Sequence, residues 1–440
     1  MRTSRIVDGA RRIFLFLVVA IVPAFYLSFI FTRAVNIPIG DDYTILAWVN
    51  GFHAISSVSG KLASIASFHN EHRIVVTRVI SLLVQYFSGS LDFRLLLLIS
   101  NATLVVAVFQ LGYALGFRDN MFAWATLLLL SLQPQFYKLM FYPMSSLQVA
   151  FALLFSICYL RSILDRAHFA ITVLWYFLAI LSAGSGLFLV FLGGLLLFFQ
   201  KRIRECFLHV IIALLSACLY FYGFHAGEAG RLDYLFTHPV SAISFFLQLL
   251  GNISCPAITL LSLPTYVEFL PLVLGSVLAG YFAFHCKLTV RAIRTQSGDV
   301  YIREFAVLSY LVLMIILIVF GRAKIYQSDL ISAALDGRYT LYGMLFTAVS
   351  AISAVRIVQV RGCSITRIKM VILALAIVVN VGMFTASFVK SSGEARTRLE
   401  AMRLFVSNGV GTGLTTWAVP RDYAVRELKL AIANGLYCPP

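Results

Sequence analysis

IVVTRVISLLVQYFS, residues Ile74–Ser88, decides the topology of this chain. As a helix it rises roughly 22 Å, short of the ~30 Å apolar core of a bilayer. Arg73, Thr77, Ser81, Gln85 and Ser88 recur at helical spacing and draw a polar stripe along it. Such a segment is expected to lie in the membrane interface rather than to cross. Counting it as a span would also invert every later loop and move the clusters of Lys and Arg to the opposite side.

Outward from that segment, composition sets the class. Of 440 residues, 60% are hydrophobic and 12% are charged, with a mean hydropathy of +0.90. This excludes a soluble globular domain and predicts an all-α, polytopic membrane protein. The net charge of +16 sits in short clusters between apolar runs, so it reads as topology and headgroup contact, with no nucleic-acid partner.

Apolar runs lie at about 13–35, 92–116, 121–141, 144–160, 168–183, 186–200, 206–223, 265–286, 305–320, 338–355 and 370–389, which predicts about 11 transmembrane helices. The first run is too long for a signal-peptide core and has no small-residue cleavage site, so it is expected to be retained. With the N-terminus cytoplasmic, "FRDN" (117–120), Arg161 and Arg166, "KRIR" (201–204), Lys287, Arg291 and Arg294, and Arg356 to Lys369 all fall inside. Residues 36–91 then form a long first outside loop. Residues 239–255 are ambiguous and read as interfacial or re-entrant. Residues 1–389 are expected to form the membrane domain, and 390–440 a short outside tail. The seven cysteines have no paired spacing; Cys255 and Cys438 both fall outside, where they could pair.

Ionisable residues crowd the outside segments. "GDDY" places Asp41 and Asp42 just beyond the first helix. Adjacent acids there are commonly a solvated helix end. They can also share a proton, so that one acts as a general base toward a hydroxyl. "FHNEHR" (68–73) follows. Asn70 and Glu71 suit the start of the interfacial helix, as N-cap and first-turn acid, but this does not account for His69, His72 and Arg73. Two histidines three apart could share a metal, yet no third ligand is near, and no metal is predicted. Arg73 suits an anion, either a lipid headgroup or a phosphorylated substrate.

"GRAKIYQSDLISAALDGRYTLY" (321–342) brings Arg322, Lys324 and Arg338 to an outside loop, against the usual charge preference. Arg338 opens a helix, whose N-terminus adds partial positive charge. Headgroup anchoring and phosphate binding both fit. Tyr137, Lys138, Tyr142 and Ser182–Gly186 are weaker polar sites at the same face. Walker, dinucleotide-binding, HExxH and Ser-His-Asp signatures are lacking, so a soluble nucleotide is not an expected substrate.

The acidic pair after helix 1, the juxtamembrane helix after "NEHR" and the Arg-containing "LDGRYTLY" (335–342) together resemble the GT-C class of multi-pass glycosyltransferases. That class uses polyprenyl-phosphate sugars at the outer face of a membrane. The resemblance implies a GT-C-like fold with interfacial helices in its first outside loop. It implies Asp41 or Asp42 as catalytic base. His69, Glu71, His72, Arg73, Lys138, Arg322, Lys324, Arg338 and Tyr339 would bind substrate and its phosphate. It further implies a bacterial cytoplasmic membrane, an extracytoplasmic active site, a polyprenyl-phosphate-linked sugar as donor and a glycan, lipid or protein as acceptor. No cofactor is expected. The alternatives are a polymerase or ligase of lipid-linked oligosaccharides, which would carry a long outside loop late in the chain, and a flippase or transporter, which would carry inverted repeats and broken helices.

Overall fold

The computed structural model describes residues 2–70, 72–118, 120–224, 233–254, 269–295, 298–325, 334, 339–360, 365–409, 411, 414 and 419–440. The chain is an all-α, multi-pass membrane protein. Its helices are α1 (Arg2–Arg33), α2 (Asp42–Ala54), α3 (Val58–Ala66), α4 (Val75–Ser88), α5 (Phe93–Ala114), α6 (Met121–Ser131), α7 (Tyr137–Met140), α8 (Pro143–Leu164), α9 (Phe169–Ser182) and α10 (Leu189–Phe199). They continue as α11 (Ile203–Phe221), α12 (Asp233–Thr237), α13 (Pro239–Leu250), α14 (Leu270–Thr295), α15 (Asp299–Arg322), α16 (Thr340–Val360), α17 (Thr366–Asn408) and α18 (Arg421–Ala433). A two-residue antiparallel pair, β1 (Phe68–His69) and β2 (His72–Arg73), is the sheet structure among the described residues.

Eight described helices are long and apolar enough to cross a membrane: α1, α5, α8, α11, α14, α15, α16 and α17. The other three expected spans are shorter. α9 has 14 residues, and a 3-10 turn at Gly184–Phe188 precedes the 11 residues of α10. The run 121–141 is broken after Ser131, where Pro134 cannot donate a helical hydrogen bond. Carbonyls freed by the break are taken up locally. Asn380 Nδ2 donates to Leu129 O (2.8 Å) and Leu132 O (3.1 Å), and Ser387 Oγ to Pro134 O (3.3 Å). Irregular backbone is tolerated at such depth where protein satisfies it.

Small residues set the closest crossings, as membrane helices require. A Cβ on Gly275 of α14 would lie 1.8 Å from Leu247 O of α13, so only glycine fits there. At the end of the bundle that carries the basic clusters, Glu304 is buried but fully engaged. It accepts from Arg356 (3.0 Å) and Ser353 (2.5 Å) and pairs with His285 (3.1 Å). The network was not legible in the sequence, because His285, Ser353 and Arg356 are distant from Glu304 in the chain.

α4 forms as expected, with its stripe turned inward. Thr77, Arg78, Ser81 and Gln85 are buried, while Tyr86 and Phe87 are about 80% exposed. The reason is local. Arg78 donates to Ser64, Ile65 and Ser67 carbonyls at the end of α3 and lies over Trp48, and Gln85 meets His53 of α2 at 2.9 Å. The apolar face is what remains outward. Asn70 does not cap this helix. It takes φ +51° in the turn between β1 and β2, a conformation asparagine tolerates, and the helix begins after Ile74.

A second hydrophobic core lies under the first loop. Tyr43, Leu46 and Val49 of α2 pack with Phe405 of α17, Leu428 of α18 and Tyr437. α17 runs unbroken through position 390, so the C-terminal segment shares a core with the first loop. Tyr437 Oη donates to Asn36 O (2.6 Å), and Leu91 N to Leu436 O (2.7 Å).

Candidate functional site

At the end of the bundle opposite Glu304, a cavity of about 590 Å³ opens among the first loop, α7, α8, the Gly184–Phe188 turn, α15 and α16. Its mouth is polar, lined by Asp41, His69, Asn70, His72, Arg322 and Tyr339. Its throat is apolar, walled by Leu139, Val149, Ala152, Met314, Leu317 and Ile318. Met314 lies eight residues before Arg322 on α15, a depth of about 12 Å.

The two acids have different surroundings. Asp42 is fully buried. Its Oδ2 accepts the N–H of Ile39 (2.9 Å) and its Oδ1 that of Met144 (2.8 Å). It closes the Ile39–Asp42 turn, where Gly40 takes φ +53°, onto the N-terminus of α8. Burial raises its pKa well above the carboxylate range, opposed by those two donors and reinforced by the charge of Asp41.

Asp41 is half-buried and lines the cavity. It precedes α2, yet its side chain makes no capping bond. Its N–H donates to Tyr142 Oη (2.5 Å), and that hydroxyl in turn bonds the Asp41 carboxylate. Burial and both carboxylates push the Tyr142 phenol far upward, so it stays protonated and donates.

His69 and His72 face each other across the β1–β2 pair and both line the cavity. Burial lowers the pKa of His69, Arg78 adds to this, and Asp41 opposes it. His72 is pushed down to about 4, by burial first, then by Arg322 and His69. Both imidazoles are therefore neutral at pH 7.

Arg322 ends α15 at the mouth, and among the described residues no hydrogen bond or ion pair ties its guanidinium. Tyr339 is held from behind. Asn252 Nδ2 donates to Tyr339 O (3.2 Å), and Gln135 Nε2 to Asn252 O (2.8 Å). This support was not legible in the sequence, because Gln135 and Asn252 are distant in the chain.

Among the expected site residues, the cavity thus brings together Asp41, His69, His72, Arg322 and Tyr339, with Asp42 sealed behind Asp41. Arg73 is turned elsewhere. It donates from Nε to Tyr220 O (2.8 Å) and from Nη2 to Tyr222 O (2.5 Å), at the end of α11. Lys138 is exposed on α7, and neither it nor Lys324 lines the cavity. Glu71, Arg338 and Cys255 lie outside the described residues, and Cys438 is a free thiol.

Ser145 and Gln148, in the first turns of α8, also line the cavity and were not singled out. Their spacing with Ala152 at i, i+3 and i+7 is a helical face, a signal that was available. Ser185, from the weaker Ser182–Gly186 site, joins them. The chain matches no family model, no curated protein and no solved structure.

Chemically, the mouth offers a carboxylate, two neutral imidazoles and a guanidinium above an apolar throat. That suits an amphiphile with an anionic head.

Two predictions arise here. Asp42→Asn leaves one of the two backbone donors facing an amide N–H, and is expected to cost about 1–3 kcal/mol of stability, measured by thermal unfolding in detergent. The depressed pKa of His72 makes the unfolded chain bind a proton first. Its contribution is neutral above about pH 6.5 and becomes destabilising as pH falls from there toward 4. His72→Gln should therefore flatten the decline of melting temperature across that window.

Proposed function

We propose that this protein is a GT-C-like glycosyltransferase that moves a sugar from a polyprenyl-phosphate carrier to a hydroxyl of a glycan, lipid or protein acceptor. The observation that carries the reading is a cavity that sets both Asp41 and Arg322 at its mouth over an apolar throat about 12 Å deep. Arg322 holds the carrier phosphate, and the throat takes the first part of the prenyl chain. The acceptor oxygen attacks the anomeric carbon as the carbon–oxygen bond to phosphate breaks. Asp41 takes the acceptor's proton, Tyr142 fixes the orientation of its carboxylate, and the leaving group departs as polyprenyl phosphate. The bond broken is already activated, so no nucleotide is required.

A transporter reading gains little from the broken helix at 131–137. The carbonyls freed there are bonded to Asn380 and Ser387, which makes it a packed joint rather than a lined path.

We place the cavity on the outer face of a bacterial cytoplasmic membrane, because the basic clusters lie at the other end of the bundle. Cysteines introduced at Ser57 and Lys201, both exposed, should label from opposite sides; labelling from one side contradicts this orientation. The function itself is tested by incubating purified protein with polyprenyl-phosphate sugars and membrane lipid extract. Release of free polyprenyl phosphate with sugar appearing on an acceptor is expected. Carrier left intact across a panel of sugars and acceptors counts against the reading.

A further inference from the structure

The two short strands β1 and β2 are held by several contacts from outside. Their backbone is pinned at Arg73, whose N–H donates to Tyr220 Oη (3.0 Å) while the guanidinium grips the end of α11 and lies 4.1 Å from the Phe68 ring. On the other side, Gly184 lets the 3-10 turn approach closely. A Cβ there would fall 2.7 Å from Tyr220 Oη and 3.4 Å from His72 Nδ1. These contacts hold the two strands that carry the imidazoles.

His69 and His72 are directly opposed in the ladder, so their side chains share one face with Cβ atoms about 5 Å apart. They line the same cavity as the two charged groups of the mouth, with the charge of Asp41 acting on His69 and that of Arg322 on His72. Among the described residues, His69 Nε2 is buried and has no hydrogen-bond partner. A buried polar atom left without a partner is costly and calls for an explanation. Here the atom belongs to a residue of the cavity wall, where a bound ligand can complete it.

We propose that His69 and His72 form a sugar-reading subsite, binding hydroxyls of an uncharged hexose ring that spans from Arg322 to Asp41. This rests on the transferase reading above and names the group held between the phosphate and the base. Neutral imidazoles both donate and accept, as a hydroxyl does, and they supply no net charge for a carboxylate or amine on the sugar. Fixed donors left unpaired by the wrong ligand discriminate more strongly than an apolar wall does.

The test compares two soluble probes on the full-length protein in lipid nanodiscs. One is farnesyl phosphate; the other is a set of farnesyl phosphoryl hexoses carrying glucose, galactose or mannose. Calorimetry is expected to show at least one hexose tightening binding over farnesyl phosphate alone. His69→Ala should remove about tenfold of that gain and leave farnesyl phosphate affinity unchanged. His69→Gln, whose amide reaches near the Nε2 position, should keep most of it, and His72→Ala should reduce it as well. A gain that survives both alanine variants overturns the subsite, as does equal weakening of both probes, which would mark a structural role. Wild-type protein that binds farnesyl phosphate but gains from no hexose overturns the subsite alone. Wild-type protein that binds neither probe overturns the carrier reading with it.

Discussion

Asp41→Asn is expected to lower the proposed sugar transfer by about 10²–10⁴-fold while the protein inserts, folds and binds carrier as before. The amide keeps the size of the side chain and its bond from Tyr142, and loses only the capacity to accept a proton. Because Asp41 makes no capping bond, the substitution removes nothing that α2 depends on. Initial rates at saturating carrier, beside melting temperatures of both proteins, separate the two effects. The contrast with its neighbour is the useful control. Asp42→Asn should lose stability, because its carboxylate is spent on Ile39 and Met144. Equal and full transfer in the Asp41 variant would reduce the acidic pair to a folding device.

The second large effect falls on binding. Arg322→Ala removes the one described cation that lines the cavity, and should weaken carrier binding by about 2–3 kcal/mol, or roughly 30- to 150-fold. Farnesyl phosphate binding measures this without requiring turnover. Arg322→Lys keeps the charge but loses the planar fork, so an intermediate affinity is expected. The same change brings a second readout: with the guanidinium gone, the pKa of His72 should rise from about 4, which imidazole NMR resolves.

Much of this was legible because apolar length and basic clusters follow bulk solvent physics. Helices α1, α5, α8 and α14–α17 stand where the long runs do, and Ile74–Ser88 forms a short amphipathic helix as its stripe dictates. What the stripe could not tell was its partner. A polar face reads the same whether water or Arg78's carbonyl partners cover it. The break at Pro134 was missed because Asn380 and Ser387, which make it tolerable, lie about 250 residues away.

At the site, residue types were visible and their assignments were not. "GDDY" marks two acids, but only the fold distinguishes one sealed against α8 from one facing a cavity. Arg73 had the right chemistry for an anion. The end of α11 claimed it first, and no local signal announces a contact nearly 150 residues distant.

The central claim, that a phosphate-headed prenyl lipid occupies the cavity beside Asp41, is tested most directly by photo-crosslinking. A prenyl phosphate bearing a diazirine on its first isoprene units is bound to the purified protein, irradiated, and mapped by peptide mass spectrometry. The account predicts adducts on Met314, Leu317, Ile318 and Val149, displaced by excess farnesyl phosphate and weakened in Arg322→Ala. Adducts confined to the outward faces of the helices, at residues such as Phe191 or Leu219 and undiminished by competitor, would contradict it.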